Sequence, residues 1–360
     1  MNNTDRPDRR CDSVIPPAAV AALMAWFRAA GRALPWRGER DPYLIWVSEV
    51  MLQQTQVSVV IPRYIRWRKR FPSVEALAAA EVADVLKEWE GLGYYTRARN
   101  LHEGAKFVLT ALNGHIPGSY GELLRVPGIG PYTAAAVASI GFNEPVGVVD
   151  GNVARTMARL LRIGLPQRSP EFHRRVRSAV ESSFGCHEPR WINQAWMEIG
   201  ALICRRRPGC LPCPLHRYCA AAAAGDVANF PLRPAARAIP ERTGAIFIIE
   251  RAGAVLMVQR PLTGLLGGLW ELPNAMADEQ PAVNFIISAG LEEVSPTGLI
   301  ARHRYSHFAV SFEVFRARLD GDWRHPFWRD HRWANAAELA GLPRPQVHIK
   351  ALIAAGLITA

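Results

Sequence analysis

The chain has 360 residues, of which 49% are apolar, and 43 Lys and Arg outnumber 32 Asp and Glu to give a formal net charge of +11 at pH 7. This composition excludes a wholly disordered chain, and the length suffices for two or three domains with their own cores. The basic balance is typical of proteins that bind a polyanion. No apolar run reaches the roughly 18 residues of a membrane span, and the polar residues 1–16 lack a signal-peptide core, so we expect a soluble, unsecreted protein with a disordered tail over 1–16.

Apolar residues recur at helical spacing through the first 220 residues. Leu23, Trp26 and Phe27 mark one face of a helix over residues 17–32, and Asp41 followed by Pro42 starts a second helix that we expect to run to Val57. Further helices are predicted over residues 60–71, 74–80, 82–89, 97–112, 131–140, 153–161, 170–184 and 191–203. No strand alternation occurs before about residue 243, so this part is predicted to be all-α.

Glu49 stands in the middle of the second helix, which is apolar nearly all round. A carboxylate among Trp46, Val50 and Met51 lies either at the one wet edge of the helix or half-buried with a raised pKa. A raised pKa would make Glu49 a general acid near neutral pH.

A glycine turn precedes the helix over residues 131–140. Gly128 and Gly130 are free to take positive φ, and Pro131 suits the first position of a helix. Backbone N–H groups at the positive end of that helix favour an anion, and neither glycine has a Cβ to exclude a bulky one. The turn therefore predicts a phosphate-binding hairpin.

Asp150 follows the short apolar run 146–149 and opens the next helix. One interpretation is that Asp150 is only an N-cap, the usual task of Asp at this position. The other is that its carboxylate takes part in chemistry, because it follows the predicted phosphate-binding turn by one helix.

Four of the six cysteines occur within 16 residues, as Cys204-x5-Cys210-x2-Cys213-x5-Cys219. The spacing favours one metal centre in a reducing compartment over a disulfide framework. It fits either zinc or a 4Fe–4S cluster, although structural zinc sites usually pair two knuckles across a longer spacer. The intervening Arg205, Arg206 and Arg207 are suited to phosphate contacts or form a solvated basic loop.

The pattern changes after a proline-containing linker predicted over residues 226–240. Apolar runs at 245–249 and 255–258 and the alternating run 307–315 predict strands, and residues 345–356 predict a closing helix. We therefore expect a small α+β domain over 241–360, after an all-α domain over 17–225.

The order of several motifs resembles the MutY family of adenine DNA glycosylases, in the helix-hairpin-helix superfamily related to endonuclease III. The matching motifs are Leu34-Pro35-Trp36-Arg37, the run from Ser48 to Val57, Gly91 to Tyr95, the hairpin from Val126 to Gly130, Asp150-Gly151-Asn152-Val153 and Gln194 before the cysteines. The resemblance implies a multidomain protein, with an all-α helix-hairpin-helix glycosylase core, an iron–sulfur cluster loop and a C-terminal α+β Nudix-like domain.

The resemblance also implies roles for individual residues. Glu49, Asp150, Tyr132 and Asn152 would be catalytic, and one 4Fe–4S cluster would be held by Cys204, Cys210, Cys213 and Cys219. The residues implied to contact DNA or adenine are Trp36, Arg37, Leu52, Gln54, Tyr94, Gly128, Gly130 and Gln194. The first cysteine interval departs from the family, which usually has six residues where this chain has five. Trp36 and Leu52 are also ordinary core-packing residues.

The C-terminal domain resembles the Nudix-like module of the same family. Tyr305, Ser306 and His307 match a Phe-Ser-His loop that senses 8-oxoguanine, with Tyr in place of Phe; the alternative is a strand edge. Glu292-Glu293 matches half of the Nudix metal motif, but Ser288 and Ala289 stand where Arg-Glu is needed. We therefore expect a recognition domain without a metal.

The expected function is base excision repair, in which adenine opposite 8-oxoguanine or guanine is removed from double-stranded DNA. Bifunctional relatives carry a lysine two residues after the last glycine of the hairpin, where this chain has Tyr132, so we expect no efficient strand scission. The alternatives are an endonuclease III-like glycosylase with lyase activity and a non-catalytic iron–sulfur DNA-binding protein. We further expect a bacterial cytoplasmic, nucleoid-associated monomer that does not bind membranes.

Overall fold

The computed structural model describes residues 14–232, 239–305 and 307–359. As far as they are described, residues group into two compact units, one of Met1–Ala78 with Glu103–Ala235 and the other of Ala79–His102 with Ala236–Ala360. Residues 79–102 thus group with the C-terminal part of the chain, which the sequence did not suggest. The boundaries of tail, linker and domains stay predictions, and residues 1–13 and 233–238 lie outside the described residues.

The chain is helical up to the region of the predicted linker. In chain order its α-helices are α1 (Pro17–Ala30), α2 (Pro42–Leu52), α3 (Val57–Arg70), α4 (Val74–Ala78), α5 (Val82–Glu88), α6 (Thr96–Ala111), α7 (Tyr120–Leu123), α8 (Pro131–Ala136), α9 (Gly151–Leu160), α10 (Pro170–Ser182), α11 (Pro189–Leu202) and α12 (Ala220–Ala223). Among the described residues, no strand precedes Glu241, which confirms the predicted all-α class.

The second predicted helix ends five residues early. Helix α2 stops at Leu52, and Gln54 adopts φ of 56°, a left-handed conformation that a continuous right-handed helix does not contain. The N–H of Thr55 donates to the carbonyl of Leu52 and closes the turn. Helix α3 then begins at Val57, so residues 53–56 form an exposed corner.

A shared apolar core holds α1, α9, α10 and α11 together. Fully buried members include Leu23, Met157, Val176 and Trp196, one from each helix. Burying each large apolar side chain stabilises the fold by roughly 1.5–3 kcal/mol. This packing fixes the first turn of α9, at which Asp150 lies.

The segment before Asp150 is held by one buried amide. Asn193, fully buried on α11, accepts from the N–H of Val148 at 2.9 Å and donates through Nδ2 to the carbonyl of Val146 at 2.9 Å. An extended segment without a strand partner would otherwise leave these buried backbone groups unsatisfied. Asn193 therefore fixes the path of the chain into α9.

A mixed sheet forms the core of the C-terminal unit. Its strands are β1 (Glu241–Arg251), β2 (Ala254–Gln259), β3 (Trp270–Glu271), β4 (Asn274–Met276), β5 (Leu291–Arg304), β6 (Ala309–Leu319) and β7 (Asp330–Ala334). The main strand order is β3-β2-β1-β6-β5, in which β1 and β6 run parallel, while β4 pairs with β1 and β7 with β2. Helices α13 (Ala282–Ser288), α14 (Ala336–Gly341) and α15 (Gln346–Ala354) complete the predicted α+β class.

Strand β5 was not predicted and changes the interpretation of Glu292 and Glu293. Its pairing with β6 is interrupted near Pro296, which obscures the alternation that marks a strand. Glu292 and Glu293 lie on this strand rather than on a Nudix-type helix, and both pair with Arg318. The predicted strand at 307–315 begins at Ala309.

No helix in the described parts of the chain is both long and apolar enough to cross a membrane.

Candidate active site and cysteine loop

Glu49 lies buried in the middle of α2, with 4% of its side chain exposed. The hydroxyl of Tyr132, from α8, donates to its Oε2. The pKa of Glu49 is raised to about 7. Burial is the main cause because the charged form loses water, and the negative charge of Asp150 adds to it, while the hydrogen bond from Tyr132 and the charge of Arg37 act in the opposite direction. Of the two placements that the sequence allowed, the buried one is therefore correct.

Tyr132 remains protonated beside two carboxyl groups. Burial, followed by the charges of Glu49 and Asp150, raises its pKa well above the ordinary value. Its hydroxyl can therefore donate to Glu49 throughout the neutral range. Because Tyr132 is the second residue of α8, the glycine turn sets its position.

Asp150 caps α9 and also belongs to this cluster. Its Oδ1 accepts from the N–H of Val153 at 2.7 Å, and its Oδ2 accepts from Nδ2 of Asn152 at 2.8 Å. Burial raises the pKa of Asp150, whereas these hydrogen bonds lower it by favouring the charged form. Because Asp150 interacts electrostatically with Glu49 and Tyr132, one carboxylate is both helix cap and site residue.

Arg155 links Asn152 to the cysteine loop, and the sequence reasoning missed it. Its guanidinium donates to Oδ1 of Asn152 at 2.9 Å, to the carbonyl of Gly200 at 2.7 Å and to the carbonyl of Cys204 at 2.7 Å. The sequence does contain a clue to this contact: Arg155 follows Asn152 by three residues on the same helix, and side chains at this spacing are neighbours. One chain of hydrogen bonds thus runs from the carbonyl of Cys204 through Arg155 and Asn152 to Asp150.

Arg37 and Gln194, both predicted to line the adenine pocket, contact each other. The guanidinium of Arg37 donates to Oε1 of Gln194 at 2.8 Å and to the buried carboxylate of Glu198 at 2.9 Å. Glu198 also forms an ion pair with Arg32 at 2.7 Å. Glu198 was not identified from the sequence as a site residue, although it lies one helical turn after Gln194. Trp36 is 7% exposed and packs edge-on against Tyr64, so the structure gives it the core position that was its alternative.

The hairpin turn has the predicted form at one glycine only. Gly128 has φ of 80°, and the N–H of Ile129 donates to the carbonyl of Val126. Gly130 has φ of −92°, so the turn uses positive φ at only one of the two glycines that permit it; a Cβ at Gly130 would meet only open space.

The remaining predicted DNA contacts lie at turns. Leu52 ends α2, and Gln54 lies in the left-handed corner after it. Tyr94 belongs to the C-terminal unit, where it has φ of 48°, is 43% exposed and is stacked by Arg97.

A cleft of about 610 Å³ opens beside Tyr132 and Val149. His173, Arg174 and Arg177 of α10 line its other side. Its volume lies within the roughly 300–1,000 Å³ of ligand pockets, and its arginines would attract a phosphate. Tyr132, and through it the carboxyl cluster, thus lies next to space for a nucleoside.

The four cysteines of the loop are free thiols whose sulfur atoms lie near one another. The pKa of Cys213 is raised to about 11, mainly by burial and to a smaller extent by the negative charges of the other three cysteines. Arg159, 1% exposed, donates to Sγ of Cys204 at 3.4 Å and to the carbonyl of Arg205 at 2.6 Å. No three His, Cys, Asp or Glu residues among the described parts are arranged to hold a metal ion. The buried guanidinium of Arg159 thus contacts one thiol of the loop, that of Cys204.

The predicted recognition loop is described in part. Tyr305 lines a cleft in the C-terminal unit, and the centre of its ring lies 4.7 Å from that of Phe308. His307 is exposed. Ser306 lies outside the described residues.

Comparison with known proteins agrees with this architecture. Residues 47–180 match the HhH-GPD superfamily base excision DNA repair proteins, and residues 245–354 match the NUDIX domain. A thermostable thymine-DNA glycosylase shares 26% identity and the helical fold, with a TM-score of 0.52 over 57% of this chain and 95% of that one. Endonuclease III in a trapped DNA complex shares this fold at 22% identity, with a TM-score of 0.50 over 57% of this chain and 95% of that one.

Similarity to curated enzymes extends over both units. The adenine DNA glycosylase of Mus musculus is 35% identical over 366 residues, which cover 83% of this chain and 70% of that protein. The adenine DNA glycosylase of Homo sapiens is 34% identical over a region that covers 83% of this chain and 67% of that protein. The chain belongs to the adenine DNA glycosylase family.

Proposed function

We propose that this chain hydrolyses the N-glycosidic bond of adenine paired with 8-oxoguanine or guanine in double-stranded DNA, without cutting the strand. One observation carries the proposal: Glu49 and Asp150, from separate helices, interact around the hydroxyl of Tyr132. Two carboxyl groups in different surroundings can act as acid and as stabilising anion. Tyr132, whose hydroxyl donates to Glu49, lines a nucleoside-sized cleft, which supports this division.

Glu49 acts first, as the general acid. Its pKa of about 7 leaves it substantially protonated at neutral pH. Adenine is a poor leaving group as an anion, so the proton of Glu49 passes to the base, at N7 in the scheme of the family, while the C–N bond breaks and its electron pair stays with adenine. Such a transfer contributes about 10²–10⁴-fold to the rate.

Asp150 then stabilises the positive charge that develops on the sugar. The bonds from Val153 and Asn152 favour its charged form, which attracts the oxocarbenium-like sugar. Asn152 holds Oδ2 in place, and Tyr132 orients Glu49. Glu49, now deprotonated, accepts a proton from the water that adds to the sugar.

Tyr132 supports hydrolysis without strand scission. A lyase needs an amine that forms a Schiff base with the abasic sugar, and a phenol cannot do so. The nearest lysine upstream, Lys106, pairs with Glu103 on the exposed face of α6. An endonuclease III-like lyase is the second candidate, and borohydride trapping on abasic DNA distinguishes the two, since only a lyase becomes covalently attached.

The DNA strand would be bound by the hairpin turn and by basic side chains. Gly128 and Gly130 of the turn are exposed, and so are Arg205, Arg206 and Arg207 of the cysteine loop. Arginine contacts to phosphate make binding salt-dependent. Gln54 and Leu52 would enter the stack that adenine leaves.

One 4Fe–4S cluster would be held by Cys204, Cys210, Cys213 and Cys219. The mutual interaction of the four thiols and the buried Arg159 beside Cys204 fit an anionic centre. When bound, such a cluster would stabilise the loop, whose carbonyls at Cys204 and Arg205 accept from Arg155 and Arg159. Measured iron and acid-labile sulfide distinguish it from zinc.

Tyr305, Ser306 and His307 would inspect the base opposite adenine. His307 is exposed and its ring lies next to that of Phe308, and Tyr305 supplies an aromatic face. The role of Ser306 rests on its resemblance to the family loop.

The test uses duplexes in which adenine lies opposite 8-oxoguanine, guanine or thymine, with base release and strand breaks scored separately. We expect adenine release from the first two and no strand break before alkali treatment. A protein that binds the mispaired duplex but releases no adenine would instead be a non-catalytic DNA-binding protein.

A further inference from the structure

Tyr94, one of the predicted DNA contacts, lies in a tightly bent loop between α5 and α6. Gly91, Gly93 and Tyr94 have φ of 84°, 68° and 48°, all in the left-handed region. Glycine adopts this region freely, whereas a residue with a Cβ stays there only when its surroundings hold it. The side chain of Tyr94 is nevertheless 43% exposed, so burial in a core does not hold it. Specific contacts within the loop must do so.

Arg97, on the first turn of α6, supplies these contacts. Its guanidinium lies over the ring of Tyr94, 5.4 Å from the ring centroid. The same group donates to the carbonyls of Leu92 and Gly93, at 2.9 and 3.1 Å. One cation thus contacts the exposed ring and also holds the backbone that precedes it.

A buried indole fixes Arg97 in turn. Trp89 is fully buried, and its Nε1 donates to the carbonyl of Gly93 at 3.0 Å. The guanidinium of Arg97 lies 5.3 Å from the centroid of the Trp89 ring. Burial lowers the pKa of Arg97 to about 10, so the group still carries its charge at pH 7. Because a cation that has lost water interacts more strongly with an aromatic face than a solvated one, the guanidinium holds a defined position against the ring of Tyr94.

The chain on either side of this loop is held by other contacts within the C-terminal unit. The guanidinium of Arg99 donates to the carbonyl of Gly267, and Nζ of Lys87 donates to that of Ala340. The backbone around the loop therefore has anchors besides Arg97. Loss of Arg97 is expected to release the ring that it contacts rather than to unfold the loop.

We propose that Arg97 is a positioning residue for Tyr94, which holds the exposed ring in the orientation in which it stacks beside the base opposite adenine. The inference rests on the proposed DNA contact of Tyr94. A side chain that is already ordered loses less rotamer freedom on binding, so the same stacking contact gives a tighter complex. Arg97 itself needs no contact with DNA, whereas an arginine that bound a phosphate would act without Tyr94.

The test is a double-mutant cycle of Tyr94→Ala and Arg97→Met, with the affinity of the full-length protein for DNA as the readout. The duplex carries 2′-fluoro-2′-deoxyadenosine opposite 8-oxoguanine, because the fluorine disfavours positive charge on the sugar and prevents base release during the measurement. Tyr94→Ala should weaken binding about tenfold, as the loss of one stacked ring implies, and Arg97→Met about threefold to tenfold. In the Tyr94→Ala background, Arg97→Met should cause no further loss.

Additive losses would overturn the proposal, because they would show that Arg97 acts independently of Tyr94. The salt dependence of binding separates the two roles as well. The slope of log affinity against log salt concentration should be the same in Arg97→Met as in wild type, whereas loss of a phosphate contact would reduce it by about 1. A reduced slope would assign Arg97 to the phosphate backbone and overturn the positioning role.

Arg251→Met is the matched control. The guanidinium of Arg251 lies 4.6 Å from the ring centroid of Trp333 and donates to the carbonyls of Leu319 and Gly321. It therefore makes the same kinds of contact as Arg97, elsewhere in the C-terminal unit. The control should bind the duplex as wild type does.

If circular dichroism shows Arg97→Met to be unfolded, Arg97→Lys takes its place in the cycle under the same criteria, because lysine keeps the charge but lacks the planar fork that lies on a ring and donates to two carbonyls. Adenine release by the wild type from the unmodified duplex is measured alongside. Coupled losses without release would contradict the proposed function and support the role of Arg97. Release with additive losses, or wild-type binding by Tyr94→Ala, would overturn the role of Arg97 and leave the proposed chemistry standing.

Discussion

Two carboxyl groups of the candidate site differ in what surrounds them. Glu49 is buried on an apolar helix and accepts from Tyr132, while Asp150 accepts from a backbone N–H and from Asn152. Burial raises the pKa of both, but the bonds to Asp150 favour its charged form. The roles of acid and anion therefore follow from local contacts.

The pKa of Glu49 predicts how stability depends on pH. A carboxyl whose pKa rises from 4.5 unfolded to about 7 folded destabilises the fold as pH rises through this window, by up to on the order of 3 kcal/mol. Glu49→Gln keeps the shape and removes the charge, so its melting temperature should exceed that of wild type at about pH 8 and approach it near pH 4. Thermal melts across this range measure the difference. A constant difference would contradict a raised pKa.

The same group predicts the pH dependence of catalysis. Protonated Glu49 is the acid, so the rate of adenine release under single-turnover conditions should fall about tenfold per unit as pH rises above about 7. Rates measured at saturating enzyme test this directly. A rate that stays level from neutral to alkaline pH would exclude Glu49 as the acid.

At the scale of elements, α9 joins the site to the cysteine loop. Its first turn bears Asn152, and Arg155, one turn on, reaches the carbonyl of Cys204. The helix cannot shift without changing both ends of this chain of hydrogen bonds. Arg155 is therefore a positioning residue.

Arg155→Ala should lower the rate of adenine release about tenfold or more, because Asn152 loses the partner that orients it toward Asp150. DNA affinity should change much less, which separates positioning from binding. Single-turnover rates and DNA binding are measured together. Arg162→Ala, which removes an exposed arginine paired with Asp226, is the matched control and should retain the rate; equal losses in both variants would argue against a specific role.

Local patterns predicted features that depend on one element, and the family resemblance grouped Glu49, Tyr132 and Asp150 from different helices, but several contacts between elements were missed. Asp150 as a helix cap, the turn at Gly128 and the all-α class follow from local preference. Asn193, Glu198 and Arg155 act between helices, and their partners are distant in sequence. Both Gly128 and Gly130 permit positive φ, and the sequence could not show that the turn uses it only at Gly128.

At the scale of the whole molecule, the proposed site residues are divided between the two units. Both carboxyl groups and the cysteine loop lie in the unit that contains the hairpin, and Tyr305 and His307 lie in the other. Strand β5 and the grouping of residues 79–102 with the C-terminal unit were not predicted, since both depend on long-range pairing.

This division predicts that base discrimination can be changed without loss of chemistry. Tyr305→Ala should reduce the preference for adenine opposite 8-oxoguanine over adenine opposite guanine roughly tenfold, as the loss of one stacking contact implies. Rates on the two duplexes measure this preference. His331→Ala, on exposed β7, is the control; an unchanged preference in Tyr305→Ala would remove this residue from recognition.

The most direct test of the account is adenine release by Glu49→Gln from a duplex with adenine opposite 8-oxoguanine, measured in a single turnover together with DNA affinity. Glu103→Gln, which changes an exposed carboxylate on α6, is the matched control. The account predicts a loss of about 10²–10⁴-fold in rate for Glu49→Gln, with DNA affinity retained and the control unaffected. Release at the wild-type rate by Glu49→Gln would contradict it.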